Sequence, residues 1–464
     1  MTARRFSLEP REVPRVETRY RRIRTPLPVP ESLPLLKNIN EYEPDAMTGM
    51  APVVWDRADA CSVFDPYGNM WLDWTSGVLA ANAGHGRREV VDAVKQQAEK
   101  LLFGYAHTTE IRDRLARKLV EITPPGLDRV MLFSGGSEAL ECAIKLSRLH
   151  ARAAGGDRKR TIVSFRNAFH GRTLGSQLAG GIPAMKEWIG GTPDPTFVQV
   201  PFPDGYLCED VSFDVFLQAL KDQDVKPEDV AGVLVETFQG GDASFAPAEY
   251  MQQLAAWCRE HDAVLTMDEI QAGFGRTGKL FGFEHYGVVP DLACFAKGLS
   301  GSLPISAVMG RQDLLDGFPP RSMSTTFGGN PVCAAAALAN IELIIKEDLP
   351  GRAEETGRLL HAELGEIAAR HPEIAYVHGR GLVAAMHFVR PGTREPDPDL
   401  AFRIVESCVL QGLMLFAPVG WGGASIKICP PLIIEEDAAK EGAELLARVI
   451  DNEKESGVSA EHPQ

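Results

Sequence analysis

The chain contains a series of short apolar runs, many of them rich in β-branched residues, and several are separated by segments with helical periodicity. Short continuous apolar runs predict buried strands, and apolar positions that recur every three or four residues predict helices. The predicted strands are Val130–Phe133, Thr161–Phe165, Phe197–Val200, Gly232–Glu236, Ala263–Asp268 and Leu292–Phe295. Strands that alternate with helices indicate an α/β fold, in which helices cover both faces of a mostly parallel sheet.

Helical segments are predicted between and after these strands. One begins near Ser137 and places five side chains on one face: Ala139, Leu140, Ala143, Leu146 and His150. A second covers Met251–His261, and an alanine-rich third covers Val332–Lys346, directly after Pro331. Helix and strand patterns alternate from there to about Val449, which predicts a smaller α+β lobe.

These patterns divide the chain into three parts. Residues 1–50 are rich in arginine and proline and predict an extended arm, either loose or laid across a partner subunit. Residues 51–331 are predicted to form the large domain, with 51–75 packing against the small one. Residues 332–464 are predicted to form the small domain.

Composition and charge narrow the functional classes. The 464 residues include 48 lysines and arginines against 63 aspartates and glutamates, a net charge of −15. That balance disfavours nucleic acid as a partner, and no apolar run approaches the about 18 residues of a membrane span. The eight cysteines lack C-x-x-C pairs and zinc-ligand spacing. We therefore expect a cytoplasmic enzyme with reduced thiols, no metal and no membrane contact.

The segment Gly273–Gly278 matches the G-x-G-x-x-G pattern of nicotinamide dinucleotide sites and follows a predicted strand. That pattern requires a helix to open at its last glycine. Here the chain continues with Lys279-Leu280-Phe281-Gly282, which is not a helical pattern. A P-loop is disfavoured because Leu280 stands where a serine or threonine is needed. An NAD(P)-dependent oxidoreductase is kept only as an alternative.

Two charged residues follow predicted strands. Asp268 ends the run Ala263–Asp268, at the edge where open α/β sheets bind ligands. Lys297 follows the run that ends at Phe295 and enters a glycine-rich turn; taken alone, it could also reach the surface. Together they suggest pyridoxal phosphate chemistry, in which a desolvated lysine forms a Schiff base and a carboxylate faces the pyridine nitrogen.

A phosphate cradle and an aromatic face are also present. The segment from Ser134 to Ala139 joins a predicted strand to a predicted helix, and its glycines would let backbone N–H groups approach an anion. Ordinary capping by Ser134 or Ser137 is the alternative. Phe169, in the segment Phe169-His170-Gly171-Arg172-Thr173, could stack on the ring or belong to the core.

From about Met50 to about Glu441 the chain resembles the class III aminotransferases, the ω-amino acid branch of fold type I pyridoxal phosphate enzymes. The motifs that carry the resemblance are Ser134–Ala139, Phe169–Thr173, Asp268–Gly278, Ala296–Gly298, Thr325–Pro331 and Pro430–Leu432. The resemblance implies PLP fold type I, with a large domain, a mostly parallel mixed sheet covered by helices, and a smaller α+β domain. It also implies pyridoxal 5'-phosphate as the cofactor.

The same resemblance implies roles for individual residues. Lys297 is the Schiff-base lysine and proton shuttle, and Asp268 is the partner of the pyridine nitrogen. The other implied cofactor contacts are Gly136 and Ser137 at the phosphate, Phe169 and Ile270 on the two ring faces, Gln271 at the ring hydroxyl, and Thr326 at the phosphate of a neighbouring subunit's cofactor. That last role implies a homodimer with shared active sites.

Departures from the family pattern bear on the substrate. Gly135 replaces a side-chain phosphate donor, and Lys427 stands where many members place an arginine that clamps the substrate carboxylate. Glu236 corresponds to the glutamate that pairs with that arginine in some members. From Lys427 and the net charge we hypothesise an amino sugar or aminoglycoside as the amine.

The predicted activity is a ping-pong transfer of an amino group between a small-molecule amine and an oxo acid, with Lys297 as base and then acid. An amino-acid racemase or epimerase that uses the same Lys297 and Asp268 is the alternative within the family.

Overall fold

The computed structural model describes residues 5–190 and 194–460, with side chains as far as residue 453. Its strands are β1 (Val16–Glu17), β2 (Arg22–Ile23), β3 (Arg57–Asp59), β4 (Ser62–Phe64), β5 (Met70–Asp73), β6 (Arg129–Phe133), β7 (Thr161–Phe165), β8 (Phe197–Val200), β9 (Val230–Glu236), β10 (Val264–Asp268), β11 (Leu292–Phe295), β12 (Ser306–Gly310), β13 (Ile374–Arg380), β14 (Val383–Phe388), β15 (Leu413–Met414) and β16 (Ser425–Ile428).

The helices are α1 (Leu33–Tyr42), α2 (Ser76–Leu79), α3 (Arg88–Lys100), α4 (Glu110–Ile122), α5 (Gly136–Gly155), α6 (Leu174–Ala179), α7 (Asp214–Asp222), α8 (Ala248–Glu260), α9 (Gln312–Leu315), α10 (Pro331–Lys346), α11 (Leu349–Arg370), α12 (Pro398–Leu410) and α13 (Glu436–Ala460). Of these, α2 is a single turn with left-handed backbone angles. Among the 3-10 turns, Lys297–Leu299 bears on the site.

The large sheet has seven strands in the order β6-β12-β11-β10-β9-β7-β8. The neighbours from β11 to β8 are parallel, whereas β12 runs antiparallel to both β11 and β6. All six strands predicted from apolar runs are present in this sheet. The seventh, β12, is fully buried and was not predicted. The sheet is therefore mixed and mostly parallel, as expected.

Helix α5 covers one face of this sheet. Its predicted apolar side chains, Ala139 and Leu140 among them, are buried in one core cluster with residues of β6, β9, β11 and β12. His150 does not join that core: it lies at the margin, where its Nε2 is 3.0 Å from Oδ1 of Asp262. Helix α8, predicted as Met251–His261, packs against β10 and belongs to the other main core cluster.

The small lobe is built on the antiparallel sheet β13-β14-β16, with α11, α12 and α13 packed around it. Strand β5 pairs with β15, so the segment just before residue 75 contacts the C-terminal part of the chain. We propose that residues 1–50 form the arm, residues 51–331 the large domain and residues 332–464 the small domain. Helix α10, next to the last of these boundaries, packs mainly on α3 and α4 of the large lobe.

The arginine-rich arm lies along its own chain over the residues described, from Arg5 onward. Strand β2 pairs with β5, and two arginines of the arm form ion pairs with helices of the small lobe. Arg21 Nε lies 2.7 Å from Glu441, and Arg11 lies 2.8 Å from Glu406. In ranges 5–190 and 194–460, no helix is long and apolar enough to cross a membrane.

Candidate active site

The carboxyl ends of β9, β10 and β11 meet at one edge of the large sheet. The register pairs Asp268 with Glu236 on one side and with Cys294 on the other, so the two carboxylates are neighbours. A cavity of about 370 Å³ opens at this edge. Eight of the ten predicted site residues line it: Gly136, Ser137, Phe169, Glu236, Asp268, Ile270, Gln271 and Lys297.

The two other predicted residues lie outside this cavity lining. Thr326 is exposed on the loop before α10. Lys427 lies on β16 and reaches the site from behind Gln271: its Nζ donates hydrogen bonds of 2.5 Å to the Gln271 side-chain oxygen and to the carbonyl of Gly240. Tertiary structure therefore brings a residue of the small lobe to the wall of a site in the large lobe.

Asp268 is buried at the base of the cavity, and each of its two carboxylate oxygens has a hydrogen-bond partner. Its Oδ1 accepts from the backbone N–H of Ile270 at 3.0 Å, and its Oδ2 lies 2.9 Å from Nδ1 of His170. The sequence pattern points to Phe169 but not to its neighbour His170. The signal was a histidine next to a predicted site residue, but only the fold brings it to the carboxylate.

Lys297 follows β11 and begins the turn Lys297–Leu299 with a left-handed φ of 37°. Its side chain is buried, and its Nζ makes no hydrogen bond or ion pair within the described ranges. Burial lowers the pKa of this amine, and the nearby charges of Asp268 and Glu236 oppose that shift. At a given pH, a lysine with a lowered pKa has a larger fraction in the neutral, nucleophilic form than a surface lysine does.

The other end of the cavity is the N-terminus of α5. Gly136 and Ser137 are the first residues of this helix, where backbone N–H groups lack intrahelical partners and attract anions. The preceding amides of Ser134 and Gly135 are already occupied, because they donate to the carboxylate of Glu138 at 3.0 and 2.8 Å. Within ranges 5–190 and 194–460, the N–H groups of Gly136 and Ser137, which line the cavity, donate no hydrogen bond.

Glu236 is fully buried and is held by backbone donors. Its two carboxylate oxygens accept from the N–H groups of Phe169 and Gly240, each at 3.0 Å. Burial raises its pKa to about 7, and the field of His170 opposes the shift. The ion pair that the resemblance implies between Glu236 and position 427 does not form within the described ranges, since Lys427 bonds to neutral oxygens instead.

The glycine run that resembles a dinucleotide motif forms a series of turns, and no helix opens at Gly278. Arg276 in this run is completely buried. Its guanidinium donates to the Asn82 side chain at 2.8 Å, to the Ser76 hydroxyl at 3.1 Å and to the Leu382 carbonyl at 2.8 Å. The run thus ties the turn α2 and the small lobe to the site rather than binding a pyrophosphate.

The comparison with known families decides what kind of enzyme this is. A family model described as aminotransferase class-III matches residues 45–450, most of the chain. The chain is a class III aminotransferase. The predicted family, fold, enzyme class and cofactor are confirmed, and the NAD(P)-dependent alternative is wrong, because these aminotransferases depend on pyridoxal 5'-phosphate.

Individual relatives agree with this assignment. The aminotransferase is 34% identical over 443 residues to a 4-aminobutyrate aminotransferase of Mycobacterium leprae, which covers 93% of this chain and 98% of the relative. It is 34% identical over 425 residues to a leucine/methionine racemase of Thermococcus litoralis, covering 89% and 93%. Among solved structures, an (S)-enantioselective omega-transaminase from Thermomicrobium roseum has a TM-score of 0.84 at 27% identity, covering 90% and 98%. These comparisons give no support to the amino-sugar hypothesis.

The residues of this aminotransferase fit the cofactor. The cavity offers free amides for a phosphate at α5, the carboxylate of Asp268 for a pyridinium nitrogen, and the apolar side chains of Phe169 and Ile270 for a ring. A Cβ on Gly136 would lie 2.8 Å from Cδ1 of Ile270, so only glycine leaves that side chain its place. The buried amine of Lys297, which lacks a partner within the described ranges, completes the set.

Proposed function

We propose that this aminotransferase moves the amino group of a small ω-amino acid to an oxo acid by a ping-pong mechanism. Pyridoxal phosphate, when bound, withdraws electrons from the carbon that carries the substrate amino group. Lys297 would take the proton from that carbon as a base and then, as an acid, deliver it to the cofactor carbon that carries the transferred nitrogen. Asp268, oriented by His170 and the Ile270 amide, would stabilise the positive charge of the ring nitrogen.

The remaining cofactor contacts are proposals that rest on cavity position. Gly136 and Ser137 hold the phosphate, Phe169 and Ile270 contact the two faces of the ring, and Gln271 contacts its hydroxyl. Glu236 lies at the same base of the cavity as Asp268, with a pKa of about 7. We propose that Glu236 contacts the substrate.

The observation that carries the substrate class is the state of Lys427. Its side chain is 5% exposed and has no carboxylate partner within the described ranges. Burial lowers its pKa to about 8, so the amine is mostly protonated at neutral pH. A buried cation without a counter-ion is costly, and an anionic group on the substrate compensates it. This supports a carboxylate-bearing donor, as in the 4-aminobutyrate and 5-aminovalerate that the relatives' names give.

We further propose a cytoplasmic homodimer in which Thr326 contacts the cofactor of the partner subunit. Thr326 lies outside the cavity of its own chain, next to an exposed apolar group. Phe327 is 61% exposed, its ring lies 5.5 Å from that of Phe103, and Leu102 beside it is 64% exposed. A contiguous exposed apolar patch of this kind is typical of a protein interface. Analytical ultracentrifugation of the purified protein tests whether it forms a dimer.

The experiment that tests the reaction uses the purified holoenzyme. We expect a visible absorbance band from the lysine-bound cofactor, and formation of the oxo product from 4-aminobutyrate or 5-aminovalerate with pyruvate or 2-oxoglutarate. Lys297→Ala should abolish the band and turnover, whereas Lys279→Ala, an exposed lysine nearby, should retain both. A protein that forms no oxo product with any amine of a broad panel contradicts the proposal.

The same panel tests the substrate class. Lys427→Met should raise KM for 4-aminobutyrate about tenfold relative to KM for butylamine, because only the former loses a charge-assisted hydrogen bond. Lys427→Arg retains the charge and is the matched control. Unchanged selectivity in Lys427→Met contradicts the assignment of Lys427.

The 34% identity to a leucine/methionine racemase makes racemisation the second candidate. It would use the same proton abstraction by Lys297, but a proton would return to the opposite face of the substrate carbon, so that no oxo product forms. Incubation of an amino acid in deuterium oxide distinguishes the two. Deuterium at the α-carbon with inversion and no oxo acid supports the racemase, and oxo acid formation supports the aminotransferase.

A further inference from the structure

The loop that follows β9, residues 240–244, crosses from the large lobe to the sheet β13-β14-β16 of the small lobe. At its start, the carbonyl of Gly240 accepts a hydrogen bond from Lys427. Two residues on, the carboxylate of Asp242 accepts from the hydroxyl of Tyr376 at 3.2 Å. Gly241 between them packs on the backbone of Gly420, where a Cβ on Gly241 would lie 2.9 Å from Cα. The loop therefore contacts the small lobe along its length.

Both contacts are on one face of the small-lobe sheet. The register aligns His378, Ala385 and Lys427 in one row across the three strands, and Tyr376, His387 and Ser425 in the row two residues away. Residues two apart along a strand share a face. Ala385 lies beside Lys427 and is buried in a cluster with Phe238 and Ala243. The small side chain of Ala385 leaves space above the sheet, and the loop that contains Ala243 packs into that space.

Asp242 is an unusual residue for this position. It is 2% exposed, and no arginine or lysine pairs with it in the described part of the chain. Its carboxylate instead accepts from two hydroxyls, Ser244 Oγ at 2.7 Å and Tyr376 as above, and from the Ser244 backbone N–H at 3.3 Å. Burying a carboxylate is costly, so the hydrogen bonds of Asp242 offset a desolvation penalty while they hold the loop against its neighbours.

The partner hydroxyl is itself rigidly placed. The ring of Tyr376 stacks between those of His378 and His387, with centroid distances of 3.9 and 4.9 Å. The His378 Nδ1 lies 3.0 Å from Ser244 Oγ, which adds a second link between the loop and β13. These two stacked contacts restrict the orientation of the Tyr376 ring, and the hydrogen bond from its hydroxyl to Asp242 links the loop to the small lobe.

We propose that Asp242 is a positioning residue, which through Tyr376 holds the Gly240 carbonyl against Lys427 and thereby sets the place where the substrate carboxylate binds. This inference rests on the proposed role of Lys427. The Gly240 carbonyl takes one N–H of Lys427 and the Gln271 oxygen takes another. With two N–H groups of the ammonium taken up by these acceptors, one N–H remains for the carboxylate that we assign to Lys427.

Two variants of the holoenzyme test this. Tyr376→Phe removes only the hydroxyl and keeps the stacked ring, and Asp242→Ala removes the acceptor. Each should raise KM for 4-aminobutyrate about fivefold, leave KM for butylamine within about twofold, and change kcat little, since one hydrogen bond is lost. Binding of butyrate, a non-reacting carboxylate, should weaken by the same factor in calorimetry. Tyr206→Phe, a hydroxyl loss in the same aromatic group, is the matched control.

The double variants separate a positioning role from a structural one. In the Lys427→Met background, Tyr376→Phe should give no further loss of carboxylate selectivity, because the group that it positions is absent. The inference is overturned if Tyr376→Phe raises KM equally for 4-aminobutyrate and butylamine. It is also overturned if Tyr376→Phe lowers carboxylate selectivity as much in the Lys427→Met background as in the original protein. Either result would mean that Asp242 has only a structural role. If Lys427→Met itself does not change selectivity, the proposed carboxylate site fails, and this inference fails with it.

Discussion

Nδ1 of His170 lies 2.9 Å from Oδ2 of Asp268, and both side chains are buried at the base of the cavity at the edge of the large sheet. The other nitrogen of this imidazole, Nε2, has no hydrogen-bond partner in the described residues. In the described residues, the hydrogen bond to Asp268 is therefore the only one that the His170 side chain makes. His170 therefore orients the group that we assign to the ring nitrogen.

Replacing His170 should weaken cofactor binding. We expect His170→Leu to lower the affinity for pyridoxal phosphate at least tenfold, because a hydrogen bond to a charged group contributes about 1.5–3 kcal/mol. Titration of the apoenzyme with cofactor, followed by visible absorbance, measures this. His170→Asn can present an amide N–H in place of Nδ1 and should retain more affinity. Equal affinity in His170→Leu and the original protein would show that Asp268 does not need this partner.

Two adjacent glycines at the start of α5 should respond differently to a methyl group. In Gly136→Ala the new Cβ would lie 2.8 Å from Cδ1 of Ile270, so that this side chain, which lines the cavity, must shift. Overpacking of this kind costs about 1–3 kcal/mol, so we expect about tenfold weaker cofactor binding. In Gly135→Ala the nearest atom is 3.8 Å away, and the affinity should stay close to that of the original protein. Similar losses in both variants would contradict this account.

The turn α2 stores backbone strain beside the cavity. Val78 has a φ of 74°, and left-handed angles are costly for a β-branched residue. Its side chain is 49% exposed, so little packing is lost on truncation. We expect Val78→Gly to raise the free energy of unfolding by about 0.5–1 kcal/mol in chemical denaturation.

The control for Val78→Gly is Val91→Gly, on the exposed side of the right-handed helix α3. It should lower the free energy of unfolding by about 1 kcal/mol, because glycine is unfavourable inside a helix. A loss of stability in both variants would mean that the turn α2 is not strained.

His387 should make stability depend on pH in the acidic range. It is 0% exposed, and burial lowers its pKa from 6.5 to about 4. Between these values the unfolded chain binds a proton that the folded chain does not. Stability is therefore lost as pH falls from 6.5 toward 4, by up to about 3 kcal/mol from this residue. Above pH 6.5 the residue is neutral in both states and has no such effect.

The test is denaturant unfolding at several pH values between 4 and 7, comparing the original protein with His387→Phe. The phenylalanine keeps an aromatic ring between Tyr376 and Trp421 but cannot bind a proton. Its loss of stability on acidification should be smaller by about the amount above. Parallel pH curves for the two proteins would exclude His387 as the cause.

Much of the large lobe could be predicted because its signals are local. Each strand of that sheet except β12 forms a short apolar run, and α5, α8 and α10 show helical periodicity over their own residues. Asp268 and Lys297 were found because each follows directly on such a run. Strand β12 was missed, and its antiparallel direction depends on which neighbours it meets in the sheet rather than on its five residues.

The sequence by itself determined the family, the cofactor and the order of the motifs, because the chemistry needs particular residues at strand ends and helix starts. Tertiary structure alone decided which distant residues meet. It brought His170 to Asp268, tied Lys427 to Gly240 and Gln271 instead of Glu236, and joined Asp242 to Tyr376 across the lobes. Such contacts depend on strand register and lobe packing, which join residues more than 90 positions apart and leave no periodic signal in either segment.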